Sequence, residues 1–185
     1  QNLCDKNLEY LINENTNTTH DLLGNVLVTA KYEGDIIVDN HPNKETSDVC
    51  TTLARSFADI GDIVRGKDLY LGNPQESARR KKLEENLKTI FGHIYEELKK
   101  DRKNGAEELQ KRYNGDEDKN FFKLREDWWT ANRDQVWKAI TCSAGQKDTY
   151  FIKSNGRVYS FADAYCGRGD ENVPTYLDYV PQFLR

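Results

Sequence analysis

Apolar residues return at three- and four-residue steps in four separate stretches, and this period commits the chain to helices before anything else about it is considered. Leu83, Leu87, Ile90, Phe91, Ile94 and Leu98 share one face of a segment that Pro74 opens and Asn104-Gly105 closes. Leu53, Phe57, Ile60 and Val64 do the same between Asp48 and Arg65, with Gly66 just beyond. His20 to Tyr32 carries Leu23, Val26, Leu27 and Ala30 on one side, and Thr18 or Thr19 is placed to cap its free amides. From Phe121 to Cys142 a fourth stripe runs through Leu124, Trp128, Ala131, Val136 and Ile140, flanked by Trp129 and Trp137. Thr149 to Lys153 and Arg157 to Phe161 are instead short β-prone runs. Ser154-Asn155-Gly156 joins them, a hairpin signal because Asn-Gly tolerates positive φ. The expected fold is mainly α with one small β-hairpin. Its expected core includes Phe57, Ile60, Trp128, Trp137 and Ile140.

With 185 residues, 37% of them hydrophobic, and a mean hydropathy of -0.87, the chain supports one compact domain, or one domain and part of another, around a thin core. No apolar run approaches the roughly 18 residues of a membrane span, and no basic-then-apolar leader opens it. The absence of Met reads as a portion of something longer. Cys4, Cys50, Cys142 and Cys166 are too widely spaced for a zinc knuckle, and three His add little. A disulfide framework is the better reading, with three pairings open, and no metal or cofactor is expected.

The net charge of -4 argues against a nucleic-acid binder, but the charge is uneven. From Arg79 to Arg112 there are 11 Lys or Arg against 7 Asp or Glu, and elsewhere 16 against 24. The strip consists of Arg79, Arg80, Lys81 and Lys82, then Lys99, Lys100, Arg102 and Lys103 about five helical turns on. One reading is an anion-binding face. The other is a solvated helix whose cations are balanced by Glu84, Glu85, Glu96 and Glu97, with Lys88 or Lys100 as local ion-pair partners.

Chemistry-bearing motifs are weak. Gly61-Asp62-Ile63-Val64-Arg65-Gly66-Lys67 follows most of a phosphate-binding loop, yet Asp68 stands where Ser or Thr should hold Mg²⁺, and the run lies in a helical stripe. A helix with its C-cap is the simpler account. No HExxH and no activated-nucleophile pattern occurs, so no catalytic residue is assigned and no enzyme is expected. Arg168-Gly169-Asp170 is an integrin-type tripeptide or an ordinary polar loop. Asn17-Thr18-Thr19 is a glycosylation sequon.

Three blocks carry a more specific signal: Leu53-Ala54-Arg55-Ser56-Phe57-Ala58-Asp59-Ile60-Gly61-Asp62-Ile63-Val64-Arg65-Gly66, Arg125-Glu126-Asp127-Trp128-Trp129 with Trp137-Lys138-Ala139-Ile140-Thr141-Cys142, and Asp178-Tyr179-Val180-Pro181-Gln182-Phe183-Leu184-Arg185. In this order they resemble the α-class Duffy-binding-like domain of the erythrocyte membrane protein 1 adhesins of Plasmodium falciparum. The likeness extends to Cys4-Asp5-Lys6-Asn7-Leu8-Glu9-Tyr10-Leu11 and to His20 through Gly34.

The resemblance implies a disulfide-stapled helical adhesion domain, part of a membrane-anchored protein on the outer face of the infected erythrocyte. It implies as partners host erythrocyte or endothelial receptors, glycans such as heparan sulfate and blood-group sugars, complement receptor 1, antibodies and adjacent domains of the same polypeptide. Two cysteines between the blocks beginning at Ala54 and ending at Arg185 resemble the subclass often associated with rosetting. Residues 1–48 correspond to the remainder of a first subdomain and 49–185 to much of a second, incomplete at both ends. The stretches 67–79, 104–120 and 146–173 resemble variable segments. Pairing Cys142 with Cys166 is the first expectation, since it encloses the hairpin, leaving Cys4 with Cys50. Within this frame the strip is the glycan candidate. A protein-receptor binder using variable loops and an antigenic scaffold supporting a neighbouring binding domain are the other two classes.

Overall fold

A computed structural model describes residues 16–69, 73–100, 106–116 and 120–185. Its helices are α1 (Thr19–Asn40), α2 (Ser47–Arg65), α3 (Pro74–Lys100), α4 (Ala106–Arg112) and α5 (Phe122–Ile140). They are followed by strands β1 (Phe151–Asn155) and β2 (Val158–Phe161) and by 3₁₀ turns at Leu177–Tyr179 and Gln182–Leu184. The fold is mainly α with one antiparallel hairpin and a disulfide, as the sequence leads one to expect.

The described residues group into two compact units. One comprises Val26–Asp62 and Asn132–Arg185, the other residues 16–25 and Ile63–Ala131.

In the first unit, Phe57, Ile60 and Ile140 are wholly buried and Trp137 nearly so. Phe57 and Tyr150 each meet Trp137 edge-on, at centroid distances of 5.3 and 6.2 Å, an arrangement the ring quadrupoles favour. Gly34 faces the backbone carbonyl of Ile140, where any Cβ would collide. The glycine is what lets α1 lie against the end of α5.

The disulfide joins Cys50 in α2 to Cys166, both fully buried. This corrects both expected pairings. Cys142, exposed two residues beyond α5, is unpaired among the described residues, and Cys4 lies outside them. Nearness in sequence favoured Cys142, but the chain leaves the hairpin through Tyr165 and Cys166, both left-handed at φ 57, and returns to the start of α2. Closing 116 residues contributes about 5 kcal/mol in the loop-entropy picture.

In the second unit Leu83, Leu87, Ile90, Phe91, Ile94 and Tyr95 form the buried face of α3, and Trp128 packs edge-on against Phe91 at 6.2 Å. The Trp128 indole N–H donates to Thr19 Oγ1 at 2.8 Å. Thr18, not Thr19, caps α1: its Oγ1 accepts the Asp21 amide at 3.1 Å while the Asp21 carboxylate accepts the Thr18 amide at 3.0 Å. At α5, Asp116 takes the amides of Lys123 and Leu124 at 3.0 and 2.9 Å, capping from six residues before the helix begins.

Several stripes differ from expectation. In α1 the buried positions are Leu22, Val26, Ala30 and Gly34 with the polar Thr29 and Glu33, while Leu23 and Leu27 are half-buried. Glu33 survives burial by accepting the Ser56 hydroxyl at 3.2 Å, which lets the helix run past Tyr32. In α5, Ala131 is exposed and Trp129 and Arg125 are buried. Leu98 is half-buried, Tyr95 taking the inward position. Helix α4 falls in a stretch expected to be irregular. Arg112 and Tyr113 anchor it to Asp127, at 2.7 and 2.8 Å. The expected stop at Asn104-Gly105 lies outside the described residues. The hairpin sits two residues later in β1 than expected, with Gly156 alone at positive φ and Asn155 inside the strand.

Candidate receptor-binding surface

An α-helix turns about 100° per residue, so four consecutive cations cannot share a face. Of the strip, Arg79, Lys81, Lys82 and Lys100 are exposed, whereas Arg80 turns inward and binds Asp68 at 2.7 Å. Lys99 pairs with Glu96 at 3.0 Å and lies 4.2 Å over the Tyr95 ring. Arg102 and Lys103 lie outside the described residues. Lys81 and Lys82 stand about 27 Å along the helix from Lys99 and Lys100. Between them the outward face bears Glu85 and Glu96. What the sequence presents as one strip is two cationic patches with acid between.

The first patch borders a groove of about 290 Å³. Ile63, Leu83 and Leu87 are its buried apolar lining, and Lys81 and Lys88 bring ammonium groups to it. Its two carboxylates are neutralised from within the same unit, Asp68 by Arg80 and Glu84 by Arg125.

Arg125 carries the local architecture. Fully buried, it donates Nε–H to the Val64 carbonyl at 2.7 Å and an Nη2 hydrogen to the Ile63 carbonyl at 3.0 Å, which it shares with the Gly66 amide, so that it reinforces the end of α2. Its remaining hydrogens hold Glu84 of α3 in a two-point contact at 2.7 and 2.8 Å. Glu84 is therefore not the partner of Lys88 or Lys100. Beside it Arg65, also buried, donates to Glu126 at 3.1 Å and lies 5.9 Å over Trp129, while Lys67 reaches the other oxygen of Glu126.

The first unit uses arginine in the same way. Arg133 grips the buried Asp178 at 2.8 Å through two nitrogens and takes the Thr175 carbonyl at 2.8 Å. Its guanidinium lies over Phe57, Tyr176 and Tyr179. Arg185 donates to Asp59 at 2.9 Å, to Asp62, and to its own Val180 carbonyl at 2.8 Å. Arg65, Arg125 and Arg185 fall within the blocks that stand out in the sequence and Arg133 falls outside them, and nothing in the sequence signals that any of the four turns inward. Period arguments score a charged residue as outward, and nothing local distinguishes an arginine that meets helix-end carbonyls.

The phosphate-loop-like run and the tripeptide are engaged by the fold itself. Gly61 lies inside α2, and Gly66, at φ +70, ends it with its amide on the Ile63 carbonyl at 3.1 Å. Arg168 donates to the Cys142 carbonyl at 2.6 Å and stacks 5.0 Å over Tyr165. Burial and an acid–acid hydrogen bond with Asp163 raise the Asp170 carboxyl above its usual range. Both ends of the tripeptide are half-buried and engaged within the unit. In the sequon, Thr18 and Thr19 accept the Asp21 amide and the Trp128 indole N–H. Among the described residues no group of three or more His, Cys, Asp or Glu is placed to hold a metal ion, and no helix is long and apolar enough to cross a membrane.

The hairpin differs from all of this. Residues 151–159 are exposed throughout, including Phe151, Ile152, Val158 and Tyr159, and Phe161 is exposed at the end of β2. Phe151 lies 5.6 Å from Phe161 and 6.2 Å from Tyr159, giving one face three uncovered rings. Its base is fixed: Tyr150 packs on Trp137 and its hydroxyl meets Thr175 Oγ1 at 3.0 Å, while Cys166 follows β2 within five residues.

Against known proteins, the Duffy binding domain model matches residues 1–185. The Duffy receptor of Plasmodium vivax is 26% identical over 153 residues, which is 78% of this chain and only 12% of that protein. The solved NTS-DBL1(α1) domain of the Plasmodium falciparum membrane protein PfEMP1, varO strain, superposes with a TM-score of 0.80 at 50% identity, covering 98% of this chain and 39% of that one. A PfEMP1 DBLβ domain bound to human ICAM-1 superposes at 0.67 with 33% identity, covering 97% of this chain and 36% of that one. The chain belongs to the Duffy binding domain family and, within it, to the Duffy-binding-like α class of the Plasmodium falciparum erythrocyte membrane protein 1 adhesins.

Proposed function

We propose that the chain is a cell-adhesion segment of a variant surface antigen, displayed on the outer face of the infected erythrocyte and binding receptors on host erythrocytes or endothelium. One observation carries this: the family match spans the whole chain, with half of its residues shared with a PfEMP1 DBL1α domain. A relative at 33% identity is seen bound to human ICAM-1, so a host surface protein is a partner of known chemistry for the fold. The family and fold are those of adhesion domains, and adhesion requires no catalytic group. The assignment of residues 1–48 and 49–185 to successive subdomains belongs to the same reading.

For the contact itself, the narrower proposal is a sulfated glycan held at the Arg79–Lys82 end of α3. Lys81 and Lys88 at the groove, with Arg79 and Lys82 exposed nearby, supply the cations, and the groove carboxylates are already neutralised. Sulfates on such a site release condensed counterions, so binding weakens as salt rises. Heparin-column retention of the intact polypeptide tests it. Charge reversal at Arg79, Lys81 and Lys82 is expected to shift elution to lower salt, and unchanged elution removes this patch. Retention lost instead on reversal of Lys99 and Lys100 moves the site to the far end of α3. Adhesion that survives heparinase and high salt favours a protein receptor, and adhesion carried entirely by a neighbouring domain favours the scaffold reading.

A further inference from the structure

Strands β1 and β2 pair Asn155 with Val158, Ser154 with Tyr159, Lys153 with Ser160 and Phe151 with Phe161, with an irregularity at Ile152. A two-residue turn makes Asn155 and Val158 a mutually bonded pair, so the backbone N–H and C=O of Tyr159, and after it Phe161, point away from β1. The Ala162 amide, donating to the Tyr150 carbonyl at 2.8 Å, continues that alternation. The sheet has two strands among the described residues, so both edges are open. They are not equally guarded. β1 carries the irregularity and Lys153, devices that discourage pairing, whereas Val158-Tyr159-Ser160-Phe161 has no charge, no Pro and no bulge.

We propose that the outer edge of β2 receives an extended strand from a host-cell surface protein, which adds to the sheet as a third strand. This deepens the adhesion reading and rests on it. Tyr159 and Phe161 offer the incoming strand its backbone bonds, and with Phe151 they present a ring face for every second side chain. From Thr149 to Ala162 the chain holds Lys153 and Arg157 and no acid, in a molecule of net charge -4, so the incoming strand alternates apolar with acidic residues. Docking on a fixed base loses little hairpin freedom, which the Trp137 packing and the Cys50–Cys166 bridge supply.

The test uses the intact polypeptide and a capped octapeptide alternating Glu with Val, its control the same peptide N-methylated at alternate residues. Saturable binding of the first and not the second is expected, with slowed hydrogen exchange at the Tyr159 and Phe161 amides. Tyr159→Pro removes an outward N–H without touching the bonds to β1, and is expected to weaken binding about tenfold, while Tyr159→Thr, which keeps the N–H, weakens it less. Disulfide mapping of Cys50–Cys166 verifies the fold of each variant. Equal binding of the methylated peptide, a Tyr159→Thr loss as large as that of Tyr159→Pro, or amides already protected in the intact polypeptide alone overturns the proposal. So does a mass that grows with concentration through this edge, or host-cell binding lost only on removal of glycans. Host-cell adhesion undiminished in Tyr159→Pro sinks the added strand and leaves the adhesion reading standing. No host-cell adhesion by the wild type sinks the reading beneath it.

Discussion

The inward-turned arginines and the exposed cations of α3 are the same chemistry put to opposite uses. Arg65, Arg125, Arg133 and Arg185 each spend their hydrogens on carboxylates or on backbone carbonyls inside a unit. Lys81, Lys82 and Lys100 stand in solvent. The difference teaches that in this chain positive charge is a structural material first. Only what remains after the interior is satisfied is available for a partner.

The largest effect belongs to Arg125. Its replacement by Ala takes the Arg125 hydrogens from the Val64 and Ile63 carbonyls and from the Glu84 carboxylate, leaving Ile63 only its bond from the Gly66 amide, and a loss of about 3–5 kcal/mol is expected from urea denaturation. A loss below about 1 kcal/mol breaks the contrast, because Arg125 would then resemble a surface cation. Gly34→Ala follows. A methyl driven into the Ile140 carbonyl is expected to cost about 1–3 kcal/mol, and a thermal melt unchanged by it contradicts the packing of α1 on α5.

The pH dependence sharpens the comparison at an intermediate site. Hydrogen bonds from Arg112, opposed by burial and aided by Tyr113, hold the Asp127 carboxyl below its ordinary value of 3.8. Its stabilising contribution is therefore complete above about pH 4 and disappears as the pH falls through the lowered value. Asp127→Asn is expected to reduce stability at neutral pH and to flatten the acid limb of the denaturation midpoint below about pH 4. An acid limb identical in the two proteins removes Asp127 from the account. The smallest effect is expected from Lys81→Glu with Lys82→Glu, within about 0.5 kcal/mol in the same denaturation, as for surface positions generally.

How much of this was legible in the sequence follows the same division. Leu83, Leu87, Ile90, Phe91 and Ile94 repeat at helical steps and are buried together, because a long helix with one apolar face writes its period plainly. Helix α1 reads short because Glu33 is buried through a hydrogen bond to Ser56, a partner 23 residues away that no window contains. Helix α4 has seven residues and one Leu, too little for a period to register. The Cys50–Cys166 bridge depends on where the chain returns after the hairpin. At the candidate surface, the sequence supplied the cations, but Arg80 turning in to Asp68, and the two remaining patches, required the helix geometry. The exposed rings of the hairpin have no sequence signal apart from their β propensity, since exposure there reflects what does not pack on them.

The central proposal is that the exterior of this chain engages host cells. It is tested most directly by measuring adhesion of the intact, correctly oxidised polypeptide to human erythrocytes and endothelial cells, beside an Arg125→Ala variant. Saturable binding by the wild type, weakened in the less stable variant, is the expected result. A folded wild type that binds neither cell type contradicts the account.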